Sequence, residues 1–281
     1  MARQDVRETV AVAGTLEDTE LRRSRAPLAR RRFGTRLYGL LLIAVLLSFW
    51  EVSSRLGWIV SAYWPPVSTI FAAAITQLAG GEMLTSLAAT LRRAAIGYVT
   101  GAVVGVSLGI LLGRSRLLRI ALLPLIEIVR PIPTPAVIPP LILFLGVDDT
   151  LKIFIVSLAS FFPVFTNTLA GVATIDDTLM QTARTFQTGW LRTLRCVLLP
   201  ATLPAISAGL RTATSLALVV AVLAEMIAGS SGIGYYLVQM QYALRPDLMY
   251  AGVLYLAVTG YLLNRMFLVL EARLIPWMGK T

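Results

Sequence analysis

Few side chains in this chain offer chemistry, and most of those lie inside apolar segments. The 281 residues include no histidine and a single cysteine, Cys196. The commonest general base and metal ligand is therefore absent, and one cysteine forms neither an internal disulfide nor a metal cluster. No G-x-x-x-x-G-K-[ST] phosphate loop occurs, so ATP hydrolysis by that route is not expected of this chain. We predict no metal site and no bound cofactor.

Ionisable residues interrupt several apolar runs, among them Glu127, Arg130, Arg211, Glu225 and Arg265. A charge in hydrocarbon costs about 3 kcal/mol or more, so such residues normally face a partner or a wet cavity. Glu127 and Arg130 are three residues apart, share a helix face and could neutralise each other. The two residues could form an ion pair, within or between subunits, or they could line a polar pathway. Glu225 is expected near the end of its apolar run, where its carboxylate can snorkel.

Five prolines crowd the segment that follows Glu127. Each removes a backbone donor and kinks or breaks a helix. In lipid such backbone is tolerated only where protein or water covers it, so this segment should face the middle of an assembly. Kinked helices around a central path suit a gate, although packing alone could also require them. The prolines are Pro131, Pro133, Pro135, Pro139 and Pro140.

The elements that carry these residues are predicted to be membrane helices. Hydrophobic residues make up 57% of the chain, charged residues 14%, and the mean hydropathy is +0.76. A soluble domain of this size needs more charge to cover its surface. Runs of about 20 apolar residues are long enough to cross a bilayer. We predict an all-α membrane protein with six spans, at 37–58, 94–113, 120–147, 153–173, 201–228 and 248–270.

The net charge of +10 is concentrated in an arm over residues 1–36, which we interpret as disordered and cytoplasmic. Basic residues beside apolar spans set membrane orientation, so nucleic acid is not an expected partner. Both termini are then cytoplasmic. Arg92 and Arg93 fall at an outer helix end, against the rule. The residues placed on the cytoplasmic side are the arm, Arg114, Arg116, Arg119, Arg184, Arg192, Arg195, Arg273 and Lys280.

The connection 174–199, between the fourth and fifth predicted spans, is polar and basic and ends in Leu199-Pro200 at a membrane entry. It is long enough for two short helices. Such a stretch fits a docking surface for a cytoplasmic partner or an ordinary charged loop, and its composition alone does not separate the two.

This connection resembles the EAA motif of ABC importer permeases, whose pattern is E-A-A-x3-G-x9-I-x-L-P. Ala183, Val197 and Leu199-Pro200 fall in register with it. Other segments resemble the subfamily that imports sulfonates, taurine, nitrate and related small compounds, and the likeness covers about residues 37–270. Those segments are 88–98, 109–115, 130–133, 138–146, Lys152-Ile153, Phe162-Pro163, Asn167-Thr168, 209–211, 224–226 and 232–235.

The resemblance implies a type I ABC importer permease domain over 37–281, in the bacterial inner membrane. ATP and magnesium would bind a separate ATPase subunit that docks on 174–199, and a periplasmic or lipid-anchored binding protein would deliver the solute. A second permease copy would complete the path, as a homodimer or a heterodimer. The ATPase-docking candidates are Gln181, Thr182, Ala183, Arg184, Gln187, Gly189, Leu199 and Pro200. The pathway or gate candidates are Glu127, Arg130, Pro131, Pro133, Asn167, Arg211 and Glu225. The candidates for binding-protein contact are Gly232, Gly234 and Tyr235.

The chain departs from the motif at Gln181, Thr182 and Gln187, where the family has Glu, Ala and Gly. If the turn needs a positive φ, Gln187 is strained there. Either the turn has moved to Gly189, or this chain couples to its partner differently.

An ion-coupled secondary transporter, working without an ATPase, is the alternative function. It calls for ionisable residues at the bilayer midplane and for inverted repeats, and no internal repeat is evident. The version of this alternative that the sequence favours is a transporter coupled to protons through Glu127. A membrane-embedded enzyme is disfavoured, because histidine and clustered carboxylates are lacking.

Overall fold

The computed structural model describes residues 38–59, 61 and 63–276, and within these it is helical, without a strand. The predicted arm at 1–36 lies outside the described residues. The helices are α1 (Tyr38–Arg55), α2 (Val67–Gly80), α3 (Glu82–Arg114), α4 (Arg116–Val129), α5 (Thr134–Leu145), α6 (Asp149–Ala173), α7 (Asp177–Thr185), α8 (Trp190–Thr193), a π-helical turn (Leu194–Leu198), α9 (Leu199–Ala228), α10 (Ile233–Tyr242) and α11 (Pro246–Leu274).

The prediction of an all-α membrane protein is confirmed, with one span broken. Five helices are long and apolar enough to cross a bilayer: α1, α3, α6, the continuous stretch Trp190–Ala228, and α11. The third predicted span is instead two helices, α4 and α5, bent by 97° at Arg130–Pro133. Pro131 and Pro133 cannot donate backbone hydrogen bonds, which is why the helix does not continue there. Counting the pair as one span gives the predicted six.

Residues 38–68 form a compact unit of their own. Glu51 and Arg55, which interrupt the first apolar run, pair one turn apart at 2.6 Å. The same carboxylate accepts the backbone N–H of Ser68 at 3.0 Å. Trp50 and Trp64 stack with their ring centroids 4.7 Å apart. The charges in this run are therefore neutralised locally.

The second unit, from Thr69 onward, is built on α3, α6 and α9. Glycines recur every fourth residue along α3, so they lie on one face. A methyl group at Gly97 would lie 2.6 Å from Cβ of Val156, and one at Gly101 would lie 2.3 Å from the carbonyl oxygen of Ser157. The two backbones thus approach more closely than any side chain would allow. The full stripe is Gly97, Gly101, Gly105, Gly109 and Gly113.

Helix α9 meets α6 in the same way. A methyl group at Gly209 would lie 2.9 Å from the carbonyl oxygen of Pro163. The following residues at the same spacing, Ala213, Ala217 and Ala221, are buried. Small side chains on both contact faces let the helices pack tightly in a solvent that supplies no hydrophobic drive between them.

The three helices define two ends of the bundle. At one, which we call the Asp149 end, α3 starts and α6 starts, with Arg93 bonded to Asp149. At the other, the Arg114 end, Gly113 contacts Val172. The α7 and α8 helices lie at the Arg114 end because they connect the end of α6 to the start of α9. Among the described residues of this unit, Arg114, Arg116, Arg119, Arg184, Arg192 and Arg195 lie on elements at the Arg114 end, whereas Arg92 and Arg93 lie toward the Asp149 end.

The predicted start of the second span was wrong. Helix α3 begins at Glu82, not at residue 94, because Arg93 is buried and paired rather than excluded from the span. Between the fifth and sixth predicted spans, Ile233–Tyr242 form α10, in which Ile233 and Tyr236 are buried against α3, α9 and α11.

Replacing Gly101 with alanine should lower the free energy of unfolding by about 1–3 kcal/mol, the usual cost of overpacking a rigid site. The new methyl group would collide with backbone, which cannot rotate away. Thermal unfolding in mild detergent, followed by circular dichroism, measures the change. Gly80→Ala is the control, since nothing lies within 4 Å of its added methyl group. Equal melting temperatures for the two variants would contradict the close approach.

Candidate functional site

A buried cluster of charged residues joins α3, α6 and α9 at the Asp149 end. The side chain of Arg93 is 4% exposed and that of Glu225 is fully buried. Arg93 donates from Nη1 to Oε1 of Glu225 at 2.7 Å, and from Nε to Oδ1 of Asp149 at 2.7 Å. A buried charge is tolerated only when paired and hydrogen-bonded, and here one guanidinium serves two carboxylates.

The cluster also fixes the turn between α9 and α10. Arg93 donates from Nη1 to the carbonyl oxygen of Ser231 at 3.0 Å, and from Nη2 to its hydroxyl at 2.6 Å. Glu225 Oε2 accepts the hydroxyl of Thr90 at 2.7 Å and the backbone N–H of Gly234 at 3.1 Å. Gly232 has a φ of +104°, and a methyl group there would overlap the Glu225 carboxylate. Glycine is therefore required at this position.

Two more cations adjoin the cluster. Arg92 donates from Nη2 to Oδ2 of Asp149 at 2.5 Å, so both arginines that run against the orientation rule share one carboxylate. Lys152, only 1% exposed, interacts electrostatically with Arg93, Asp149 and Glu225. The three cations therefore share two carboxylates at this end.

Two expectations for this end need correction. Glu225 does not snorkel: it is buried and held by Arg93, Thr90 and Gly234. Gly232 and Gly234 are buried beside it, and only Tyr235 of that trio is partly exposed. Of these three candidates, only Tyr235 is available to another protein, and that contact stays a prediction.

Glu127 and Arg130 do not pair with each other. Both side chains are exposed, and neither forms a salt bridge with any residue in the described part of the chain. The helix ends at Val129, so Arg130 already belongs to the break together with Pro131 and Pro133. All four lie on the surface of the single chain.

Arg211 and Asn167 lie in the middle of their spans. Asn167 donates to the carbonyl oxygen of Pro163 at 2.8 Å, so its amide satisfies its own helix. Arg211 is two residues beyond Gly209, which turns it about 200° away from the contact with α6. Its side chain is exposed and has no carboxylate partner among residues 38–59, 61 and 63–276. A guanidinium at this depth requires water or a partner.

The connection 174–199 folds as predicted into two short helices, α7 and α8. Asp176 caps α7 by accepting the backbone N–H of Thr178 at 2.8 Å. That backbone hydrogen bond and the Thr178 hydroxyl hold the pKa of Asp176 below its usual value. The stabilisation that this cap contributes is therefore fully present above the ordinary pKa of aspartate, and it is lost as the pH falls through the lowered pKa of Asp176.

The turn after α7 lies at Gln187, not at Gly189. Gln187 has a φ of +49°, whereas Gly189 has a φ of −62°. The N–H of Thr188 bonds to the carbonyl oxygen of Ala183, and the N–H of Gln187 to that of Arg184, at 3.1 and 2.9 Å. This is the Schellman arrangement, in which the left-handed position is usually glycine. Gln187 is thus strained in this left-handed position, yet the turn forms with both of its hydrogen bonds.

The outer face of α7 carries the exposed candidates, including Gln181, Thr182 and Arg184. Phe186, which sequence reasoning missed, is 76% exposed at the helix end. Ala183 is buried within the chain, because α7 packs there on the π-helical turn. Leu199 and Pro200 are half-buried at the start of α9. The α7 surface therefore presents one strongly exposed aromatic ring beside polar side chains.

Removing the Glu225 carboxylate should destabilise the fold by about 3–5 kcal/mol, because it strands a buried guanidinium. Glu225→Ala is compared with Asp247→Ala, which breaks the exposed pair with Arg245 and should cost at most about 1 kcal/mol. Thermal unfolding in detergent reports both. If the two variants melt together, the buried pair does not hold this end of the bundle.

Gln187→Gly should stabilise the turn by about 1 kcal/mol, since glycine adopts a positive φ without steric cost. Hydrogen exchange of the α7 amides should slow about fivefold. Gly189→Ala is the matched control: its φ is negative and its added methyl group meets open space, so exchange should not quicken. Faster exchange in Gln187→Gly would show that the glutamine is not strained.

Comparison with known proteins places this arrangement in a family. The family model described as "Binding-protein-dependent transport system inner membrane component" matches residues 101–276. A putative aliphatic sulfonates transport permease of Bacillus subtilis is 34% identical over 94% of this chain and 96% of its own length. The taurine transport system permease of Escherichia coli is 31% identical over 85% of this chain and 88% of its own length.

A nitrate import permease of Leptolyngbya laminosa is 32% identical over 68% of each chain. Among solved structures, a chain of the inward-facing MetNI methionine ABC transporter has a TM-score of 0.62 at 18% identity, covering 68% of this chain and 95% of that one. That likeness concerns the fold alone. The resemblance to the sulfonate, taurine and nitrate permeases is confirmed, and the chain belongs to the family of inner-membrane components of binding-protein-dependent transport systems.

Proposed function

We propose that this chain is the membrane-spanning permease subunit of an ATP-driven importer for a small solute. It would work by alternating access, with ATP and magnesium on a separate ATPase subunit and the solute delivered by a binding protein. The observation that carries the proposal is the exposed helix α7, held between two spans of a chain that belongs to this transport family.

The α7 surface supports ATPase docking. Gln181, Thr182, Arg184 and Phe186 are exposed on a helix whose buried side is fixed by Ala183. A rigid amphipathic helix with one protruding aromatic anchor fits a groove on a partner. The π-helical turn links α8 to α9 without a loop, so a displacement of α7 and α8 reaches a membrane span directly.

Arg211 supports an anionic solute. It is an exposed cation in the middle of α9, turned away from the tight three-helix contact. The cost of a guanidinium in hydrocarbon is avoided if that face lines a water-filled path. Sulfonate and nitrate, which the relatives' names carry, are anions that a guanidinium binds well.

A second copy would cover surfaces that the single chain leaves open. Leu143 and Phe144 on α5 are more than 80% exposed, and α4 buries no residue within the chain. These helices flank the break that contains Arg130, Pro131 and Pro133, and a path between two copies would give this backbone the cover it needs. Tyr235, at the opposite end from α7, is available to a binding protein.

Purification from the native host in mild detergent, followed by mass spectrometry, tests the proposal. An ATPase with a phosphate-binding loop should co-purify with the chain. Reconstituted in liposomes, the assembly should import solute only with ATP. A preparation free of ATPase that transports alone on an ion gradient would contradict the proposal and support a secondary transporter.

The docking surface is tested in the same preparation by Phe186→Ser. Loss of a protruding aromatic anchor should weaken binding by about 2 kcal/mol, or 30-fold, so the ATPase should be lost on washing. Phe186 is a sharper probe than Ala183, whose burial means that a bulky replacement would disturb the segment itself. Tyr242→Ser, at an 83% exposed aromatic ring of the Asp149 end, is the control and should retain the ATPase. Equal retention by both variants would contradict docking through α7.

A further inference from the structure

A cavity of about 710 Å³ lies at the Arg114 end, between the last turn of α3 and the first turns of α4. Its rim carries three arginines, Arg114, Arg116 and Arg119. Its walls are apolar and follow α4 into the span, through Leu112, Ile120, Leu123 and Pro124. The cavity therefore joins a cationic mouth to a hydrocarbon-like groove.

The three guanidinium groups are not paired with carboxylates in the part of the chain that the structure describes. All three side chains are exposed, and none forms a salt bridge within the residues the structure describes. The one carboxylate that lines the cavity, Glu127, is eight residues beyond Arg119, or about 12 Å deeper along α4. Arg114 also makes a cation–π contact with Trp190, because its guanidinium carbon lies 5.9 Å from the ring centroid of that residue. The mouth thus carries uncompensated positive charge.

The position of the cavity selects its ligand. Arg114 ends a 33-residue membrane helix, so the rim lies at the depth of lipid headgroups and the groove at the depth of acyl chains. A ligand with a phosphate at one end and hydrocarbon at the other satisfies both parts. Basic pockets beside membrane helices bind anionic lipid headgroups through the same combination of charge and shape.

We propose that this cavity binds one anionic phospholipid, with its phosphate between Arg116 and Arg119 and an acyl chain along Leu123 and Pro124. The cavity shares Glu127 and helix α4 with the proposed path, but its three arginines are candidates neither for the path nor for ATPase docking. Because Arg114 contacts Trp190 of α8, a bound lipid also braces the segment that continues into α9.

Native mass spectrometry of the purified chain, with whatever subunits accompany it, tests the site by titration with dioleoyl-phosphatidylglycerol or dioleoyl-phosphatidylcholine. The first should bind at least about tenfold more tightly than the second, and 0.5 M salt should reduce the difference. The double variant R116Q/R119Q should weaken binding of phosphatidylglycerol about 25-fold, at about fivefold for each charge.

The matched control is R265Q/R273Q, which removes two exposed arginines of α11 that do not line the cavity and should bind phosphatidylglycerol as the wild type does. R116K/R119K keeps the charge and should retain most of the preference for phosphatidylglycerol, and it serves as the test variant if the glutamine pair does not fold.

Equal affinity for the two lipids, or equal loss of affinity in both glutamine pairs, would overturn the proposal. Displacement of the lipid by 10 mM inorganic phosphate would also overturn the proposal, because the cavity would then recognise the free anion rather than a lipid. No ATPase is needed, so a failure here leaves the proposed function untouched.

Discussion

The close approach of α3 to α6 is the constraint on which the rest of the structure depends. In a bilayer, apolar side chains gain no hydrophobic free energy by packing on each other, because the lipid tails are equally apolar. Membrane helices therefore associate through dispersion contacts and hydrogen bonds, both of which need short distances. Removing side chains along one face of α3 supplies those distances. Arg93 precedes Gly97 by four residues and Glu225 follows Ala221 by four, so each stripe of small residues ends in a charge. The buried ion pair, at 2.7 Å, joins α3 to α9 where the two stripes end.

The remaining helices are attached to this core more loosely. Helices α4 and α5 are separated by a proline-rich break and leave large apolar faces open. Helix α10 is tied through Thr90, Glu225 and Gly234, which bond its first turn to α3 and α9. A three-helix unit closed by a buried ion pair opens only at high cost, so the alternating access proposed above would involve α4, α5 and α11 rather than this unit.

The sequence predicted the spans well because each holds a long uncharged stretch, and it predicted the α7 region from its polarity. The sequence-based prediction failed where a charged residue is neutralised by partners far away in the sequence, because a short stretch around that residue does not include them. Arg93 made the start of α3 look polar, yet Asp149 and Glu225, 56 and 132 residues away, neutralise it. Phe186 was missed because its exposure depends on the turn at Gln187. The four-residue spacing of the glycines was available in the sequence and would have identified the α3 face that meets α6.

The continuous helix from Trp190 to Ala228 has a mechanical consequence. Its 39 residues extend about 58 Å, so a tilt of about 5° moves one end by about 5 Å relative to the other. Its middle is packed against α6 at Gly209, which lies 19 residues from either end of the stretch. Its far end is bonded to α3 through Glu225 and Arg93. A displacement applied at α8 therefore tilts α9 together with α3 and α6, so that the three helices move as one rigid body.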